Sequence, residues 1–475
     1  MHAQPTVIQF GGAGREATVV SARRAQTLTA WGNSSSASSL LVEPDSREAL
    51  EQALDDARRT PHPGGVIARG YGRSYGDQCL NDHGTVISTT RLTSIHSFDA
   101  SSGVIFCDAG VSFAQVMRHC LPLGWIPAVC PGTAVVSMGG AIANDVHGKN
   151  QRHAGTFSDQ VDWFDLLLPA GDVERVSREN NSELFAATVG GIGLTGIILA
   201  VQFRLRRVRS NALRLTESRV QNLDAFLEQL PAASETNEFA VGWIDGLKDG
   251  EALGRGILEV ASFIEQDTSA PPQRTINWPF QLPPFVLNRY SVAAFNAAYY
   301  HRIPQVARTR NIHVDKFLYP LDAIHNWNRL YGKPGVYQFQ CGLPLGEARA
   351  GLMSIMREVT RCQSASFLAV IKYMGRLGTG FLSFPLPGFS LALDFPRRQD
   401  TLALMKRLHE ILLRHQGRIY LAKDACISAQ DFACMYPRHK EFKRVLQRID
   451  PNSMMQSDMS RRLGIHAHFP KTAAR

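Results

Sequence analysis

The stretch IARGYGRSYGDQ, residues 67–78, places three glycines, two arginines and two tyrosines within twelve positions. Gly70, Gly72 and Gly76 free the backbone to form a nest of N–H groups. Such a nest, with cationic and flat aromatic side chains around it, suits an anionic, planar ligand. A second stretch, PGTAVVSMGGAIANDVHGKN at 131–150, has Ser137 as an N-cap ahead of Gly139 and Gly140. Exposed N–H groups in that first helical turn would favour phosphate. Gly191, Gly193 and Gly196 spell GxGxxG, but the dinucleotide fingerprint must open a helix. Here IILAVQFRL follows, which reads as a strand, so the glycines mark a turn. HGKN at 147–150 lacks the earlier glycine and the hydroxyl of a P-loop. His147 and Lys423 (in IYLAKD, at a strand end beside Tyr420) are isolated titratable residues. Each could serve structure or solvation as readily as chemistry. IHAHF at 465–469 offers two histidines but no third ligand, so tail or strand is the better reading and no metal is expected.

These residues need elements to hold them. PDSREALEQALDDARRT (44–60) reads as an amphipathic helix with Asp45 and Glu48 as its capping pair. GGVIAR is a strand entering the first glycine loop and GTVIST a strand leaving it. GVIFCDAG is a further strand, and Ser112 with Gln115 caps the helix that stops at Gly124. Residues 40–210 thus mix short strands and helices without a repeated βαβ unit. Beyond 210, GVYQFQCGLP, SFLAVIKYMG and FSLALDFP alternate as strands of an antiparallel sheet. DTLALMKRLHEILLRHQGR (400–418) is a helix ended by Gly417. Residues 268–320, rich in Pro, aromatic and Arg residues, read as a mobile lid or binding loop.

At 475 residues the chain is expected to hold two or three domains. A net charge of +9 fits nucleic acid, an anionic ligand or an anionic membrane surface. The densest basic stretch, RLRRVR at 204–209, reads as a solvated strand edge or hinge, which leaves nucleic acid the weakest of the three. The eight cysteines have no paired spacing and are expected to be reduced. The N-terminus lacks a secretory pattern, and no apolar run reaches the length of a bilayer span. The expectation is a cytoplasmic protein, peripheral at most on the inner membrane, with the periplasm as the alternative.

RGYGRSYGD, PGTAVVSMGGAIANDVHGKN and ATVGGIGLTGII, in that order, resemble the FAD-binding domain of the vanillyl-alcohol-oxidase (PCMH) type. Within it the chain is similar to the decaprenylphosphoryl-β-D-ribose 2′-oxidase family. YQFQ, SFPLPGFSLALDFP, QGRIYLAKD and SDMSRRL extend the resemblance over residues 27–464. It implies an α+β fold. Residues 1–24 would be a tail, 25–211 the FAD-binding domain and 212–416 a substrate domain with an antiparallel sheet and the mobile 268–320. Residues 417–475 would return to the FAD domain.

The resemblance also implies that residues 68–78 (Ala68, Arg69, Gly70, Tyr71, Gly72, Arg73, Ser74, Tyr75, Gly76, Asp77 and Gln78) wrap FAD. Gly132, Ser137, Met138, Gly139, Gly140, Asn144, Asp145, Val146, His147, Ile198 and Tyr420 would complete that site. Arg73 stands where many relatives carry the histidine that bonds to the flavin, so FAD is expected to be noncovalent. Lys423, His147 and Tyr75 are candidates around the flavin, with the base unassigned. Gln338, Gln340, Lys372, Ser390, Ala392 and Lys423 would line the substrate side, Lys372 suiting a phosphate. Ala392 replaces the cysteine of actinobacterial members, while Ser390 and Leu318 replace a larger amide and a tyrosine; these changes bear on pocket shape.

The implied reaction oxidises the 2′-hydroxyl of a polyprenyl-phosphate-linked pentose. An NAD-dependent short-chain reductase would act next, completing epimerisation of ribose to arabinose, and a quinone or other acceptor would reoxidise the flavin. The alternatives are an aldonolactone or soluble-sugar oxidase of the same fold and, last, a non-enzymatic lipid- or nucleic-acid-binding scaffold.

Overall fold

The computed structural model describes residues 7–8, 22–266, 269–283, 285–364 and 367–466. Its first half carries two sheets. A four-stranded sheet runs in the order Ala22–Thr29, Ser36–Glu43, Thr85–Ser88, Val66–Arg69, and its last three strands are parallel. The helix Arg47–Arg59 buries Ala49, Leu50, Ala53, Leu54 and Ala57, positions three and four apart on one face. Its cap is Ser46, whose side chain accepts from the Ala49 amide, and not the Asp45 expected from the sequence. Serine at the position just before the first helical residue satisfies a donor that the helix itself cannot.

The second sheet is antiparallel: Val7–Ile8, Ile95–Asp99, Val104–Asp108, Ile197–Arg207, Val161–Leu167 and Val173–Ser177, with Trp125–Pro127 paired to the far end of Ile197–Arg207. The expected tail therefore needs correcting where it can be seen. Val7–Ile8 forms an edge strand, and residues 22–24 already belong to Ala22–Thr29. Phe113, Phe157 and Phe203 meet edge-to-face at 5.3 and 5.1 Å beneath this sheet. Truncating any one of them to alanine would cost about 3–5 kcal/mol.

Residues 212–419 build an eight-stranded sheet in the order Arg308–His313, Ala212–Val220, Gly256–Phe263, Phe239–Ile244, Ala369–Met374, Gly388–Pro396, Val336–Pro344, Arg418–Ile419. All its pairings are antiparallel. The helices Leu223–Thr236, Leu345–Cys362 and Thr401–Arg414 pack against its strands. Arg418–Ile419 belongs to this sheet, so the chain leaves it only after 419. The helices that follow return to the first half. The Met454 carbonyl accepts from the Val66 amide, and Arg462 pairs with both Asp77 and Asp424 at 2.7 and 2.9 Å. The described residues between 269 and 320 are partly regular. Ile276–Asn277 pairs in parallel with Ile324–His325, and a helix spans Arg289–His301.

Candidate functional site

The strand Val66–Arg69 delivers the first glycine loop to the edge of a cavity of about 810 Å³. Two close approaches explain its glycines. A Cβ on Gly76 would stand 1.8 Å from the Asp424 carbonyl oxygen, and one on Gly70 would stand 2.4 Å from Ser137 Oγ. Gly72 has φ +62°, a left-handed conformation that disfavours other residues. The loop is thereby pressed between the second glycine stretch and the turn Leu421–Lys423, with the Tyr75 amide donating to the Ala422 carbonyl. Ala68, Gly70, Tyr71, Gly72, Arg73, Ser74, Tyr75 and Gln78 line the cavity.

Arg69, Gly76 and Asp77 do not. Arg69 donates to the carbonyls of Thr29 and Cys79, and Asp77 accepts a bidentate pair of bonds from Arg462. These three hold the loop in place and leave the cavity wall to others. Arg73 lies over the Trp31 ring at 4.0 Å.

From the second stretch Gly132, Ser137, Gly139, Gly140, Asn144, Val146 and His147 face the cavity. Met138 and Asp145 do not. Met138 is fully buried in the core, and Asp145 accepts from Ser158 and Ser383, each at 2.5 Å. The expected phosphate site at this helix also needs correcting. Met138 N donates to the Val111 carbonyl, Gly139 N to the Ala109 carbonyl and Gly140 N to the Ser137 hydroxyl. The first-turn donors are spent inside the protein, so what the glycines provide is room. A Cβ on Gly132 would meet nothing within 4 Å. Ile198 and Tyr420 complete this wall, Tyr420 donating its hydroxyl to the Asn144 carbonyl. Ile192, Gly193 and Gly196 line it as well, so the turn that fails as a dinucleotide fingerprint still borders the cavity.

The opposite wall is the eight-stranded sheet. Leu215 and Glu217, Val241 and Trp243, Arg310 and Ile312, Gln338 and Gln340, Val370 and Lys372 all face the cavity. Each pair is two residues apart, the side-chain period of a strand. At about 4.8 Å per strand, the span from Arg308–His313 to Val336–Pro344 is roughly 30 Å. Ala392 and Lys423 join this wall. Ser390 lies across from Lys372 in the register but is fully buried and does not line the cavity. Lys423 sits in the 3₁₀ turn Leu421–Lys423 and not at a strand end.

The charges are unevenly distributed. Burial, reinforced by neighbouring lysines, brings Lys372 down to about 7, and burial brings Lys423 and Lys149 down to about 8. Burial also pushes Asp394 up to about 7. Asp394 accepts from Gln338 Nε2 at 2.5 Å and from the Tyr331 hydroxyl at 3.0 Å. Lys423 Nζ stands 4.2 Å from the Tyr75 ring centre. His147 is enclosed by Phe384 and Tyr420, ring centres 5.4 and 5.2 Å away. Burial, then Lys372 and Lys423, holds its imidazole well below the usual range, so it stays neutral. Its Nε2 lies 3.2 Å from Gln340 Nε2, and with that amide donating, the ring proton sits on Nδ1, which is buried without a partner among the described residues. The hydroxyl of Tyr75 is held well above its ordinary pKa by burial, then by Asp394.

Sequence reasoning missed Lys149, Trp243 and Asp394. Lys149 was legible as the residue two beyond His147, and Asp394 shares a strand face with Ala392. Trp243 comes from FAVGWI, a strand without clean alternation, and carried no signal. The metal-type donors His409, Asp424 and Cys426 have ligand atoms within 4.8 Å of one another. Arg462 beside Asp424 already supplies the positive charge such a group would attract. Of IHAHF, residues 467–469 lie outside the described residues. Every cysteine among the described residues is free.

A long cavity with one wall of glycine-rich backbone has the shape and chemistry to enclose a flat dinucleotide cofactor. The profile of the FAD binding domain family matches residues 38–177, and that of D-arabinono-1,4-lactone oxidase matches residues 392–463. The protein is an FAD-dependent oxidoreductase. It is 34% identical to the decaprenylphosphoryl-beta-D-ribose oxidase of Mycolicibacterium smegmatis, over 92% of this chain and 97% of that one. The chain belongs to the decaprenylphosphoryl-β-D-ribose oxidase family. Cytokinin dehydrogenase 7 of Oryza sativa subsp. japonica is 26% identical over 43% of this chain and 40% of its own length.

Proposed function

We propose that the protein oxidises the 2′-hydroxyl of decaprenylphosphoryl-β-D-ribose, or a close polyprenyl-phosphate pentose, to the 2-keto sugar. The observation that carries this reading is the set of three lysines, Lys149, Lys372 and Lys423, facing one cavity. Each is depressed by burial; Glu259 partly offsets this for Lys149 and Asp394 for Lys423, while at Lys372 the other two lysines add to it, so an anionic group beside Lys372 would offset that cost most. A substrate phosphate supplies such a charge; a free sugar or lactone does not.

The residues around FAD would be those of the glycine-walled side: Gly70 to Tyr75, Gln78, Gly132, Ser137, Gly139, Gly140, Asn144, Val146, His147, Ile198 and Tyr420, with no covalent link at Arg73. When bound, the flavin supplies the hydride acceptor. Lys423 is assigned the alcohol proton, because near pH 8 a substantial fraction of its amine is free to take it. His147, neutral and packed between two rings, orients Gln340. Tyr75 stays protonated and supports the Lys423 ammonium through its ring face. Gln338 and Gln340 bond the sugar hydroxyls, and Lys372 and Lys149 the phosphate.

The 2-keto product calls for a reductase as the next enzyme, and the reduced flavin for a quinone or similar acceptor. Among the described residues no helix is long and apolar enough to cross a membrane. The test is anaerobic: the yellow protein should bleach on addition of farnesylphosphoryl-ribose. Bleaching by free sugars or aldonolactones alone would move the assignment to the soluble-sugar oxidases.

A further inference from the structure

Six of the eleven large apolar side chains exposed among the described residues fall within residues 276–306: Ile276, Phe280, Phe285, Tyr290, Phe295 and Val306. Phe285 is 76% and Tyr290 70% exposed. Scattered apolar residues are ordinary on a surface, but a concentration in thirty-one positions is not.

The helix Arg289–His301 inverts the usual pattern. Its buried positions are Val292 and the polar Asn296, which donates to Asp245 Oδ1 at 2.8 Å. Its outward positions are Tyr290, Ser291, Ala293, Ala294, Phe295 and Ala298, with no charge between Arg289 and His301. A helix on a water-facing surface carries its charges outward. This one presents its apolar side.

The charge of the segment is one-sided. From Thr268 to Val314 the chain holds five arginines and no aspartate or glutamate. Arg302 and Arg310 are spent on the buried Glu217. Arg274, Arg289 and Arg308 are exposed and form no ion pair among the described residues. The same segment borders the cavity: Tyr299 and Arg302 line it, and Ile276–Asn277 pairs with Ile324–His325, which also line it.

We infer that the face formed by Ile276, Phe280, Phe285, Tyr290, Phe295 and Val306, flanked by Arg274, Arg289 and Arg308, docks on an anionic lipid bilayer beside the cavity. Its aromatic and aliphatic side chains enter the headgroup boundary, while the arginines meet lipid phosphates. The face lies outside the cavity wall and needs no particular substrate.

The test uses the full-length, flavin-loaded protein and vesicles without any sugar lipid. It should sediment with phosphatidylglycerol–phosphatidylcholine vesicles, far less with phosphatidylcholine alone, and less as salt rises. The triple variant R274Q/R289Q/R308Q should partition roughly a hundredfold more weakly, at about 1 kcal/mol per arginine. F280S/F285S/F295S should lose binding at all salt concentrations. Retained flavin absorbance shows that the variants fold. Without any variant of the face, brominated lipid should quench tryptophan emission in the parent but not in W278F, since Trp278 lies 5.1 Å from Phe280. Wild-type protein that stays in the supernatant, equal binding to both vesicle types, or variants that sediment like the parent would overturn the assignment. So would a dimer without vesicles that F280S/F285S/F295S converts to monomer, which would make the face a self-association surface. Bleaching of the flavin by the sugar lipid is read separately, so failure of one proposal leaves the other standing.

Discussion

The two walls of the cavity solve different problems with different parts of the chain. The wall proposed for the cofactor is rich in glycine backbone: Gly70, Gly72, Gly132, Gly139, Gly140, Gly193 and Gly196 come from three short segments, each contiguous in sequence. The sheet wall is side chain: Glu217, Trp243, Arg310, Gln338, Gln340 and Lys372, from five strands, arranged by register. A flat, rigid ligand is served by space and close approach. On the proposed division, a substrate that must be recognised, held and deprotonated needs charged groups partly withdrawn from water, and the sheet wall carries such groups.

Substitutions that act on one wall and spare the other test this division. Gly132→Leu fills the open space beside Gly132 and should give a folded but colourless protein, checked by flavin absorbance against the melting curve of the cofactor-free form. If the variant keeps its full flavin content, the backbone wall does not hold the cofactor. Lys423→Met should keep its flavin while kcat/KM falls about 10²- to 10⁴-fold. A loss of flavin instead would blur the two walls into one.

The pH dependence sharpens the contrast. In the acid limb of kcat/KM, activity should rise with the free amine of Lys423, near pH 8. Asp394→Asn removes a negative charge that favours the ammonium, so this limb should move to lower pH; an unmoved limb would separate Asp394 from Lys423.

For the cofactor-free fold the signs differ by group. Lys372 falls to about 7 from 10.5, so between those values the unfolded chain holds a proton that the folded one has released. Stability from this group therefore rises with pH across that window. Asp394, raised from 3.8 to about 7, acts oppositely: its contribution is present at low pH and is lost as pH rises towards 7. Melting temperatures from pH 7 to 9.5 should climb, and Lys372→Met should flatten the climb. The smallest effect belongs to neither wall. Ser46→Ala should cost about 1 kcal/mol of stability by removing a helix cap, with flavin content and turnover unchanged.

Much of the glycine-rich wall was legible because its determinants are local. Gly72 in a left-handed turn, Ser137 capping the helix Met138–Ala143 and the Ser112–Gln115 box each act within a few residues. The misreadings there were of partners far along the chain. The amides at 138–140 look free for an anion until the carbonyls of Ala109 and Val111 meet two of them. Arg69 and Asp77 look like ligand contacts until Thr29 and Arg462 claim them. Gly76 looks like a nest residue until the Asp424 carbonyl is placed against it.

From the sequence alone came the α+β class, the glycine loops, the alternating strands and the family, because periodicity, turn chemistry and motif order are properties of neighbouring residues. Tertiary structure alone decided that Lys149, Lys372 and Lys423 share one cavity, that Asp394 is buried between Gln338 and Tyr331, and that the Arg289–His301 helix turns its apolar side outward. Charge and burial at those positions depend on residues tens to hundreds of positions apart, brought together by strand register and by the return of the C-terminal helices onto the first half.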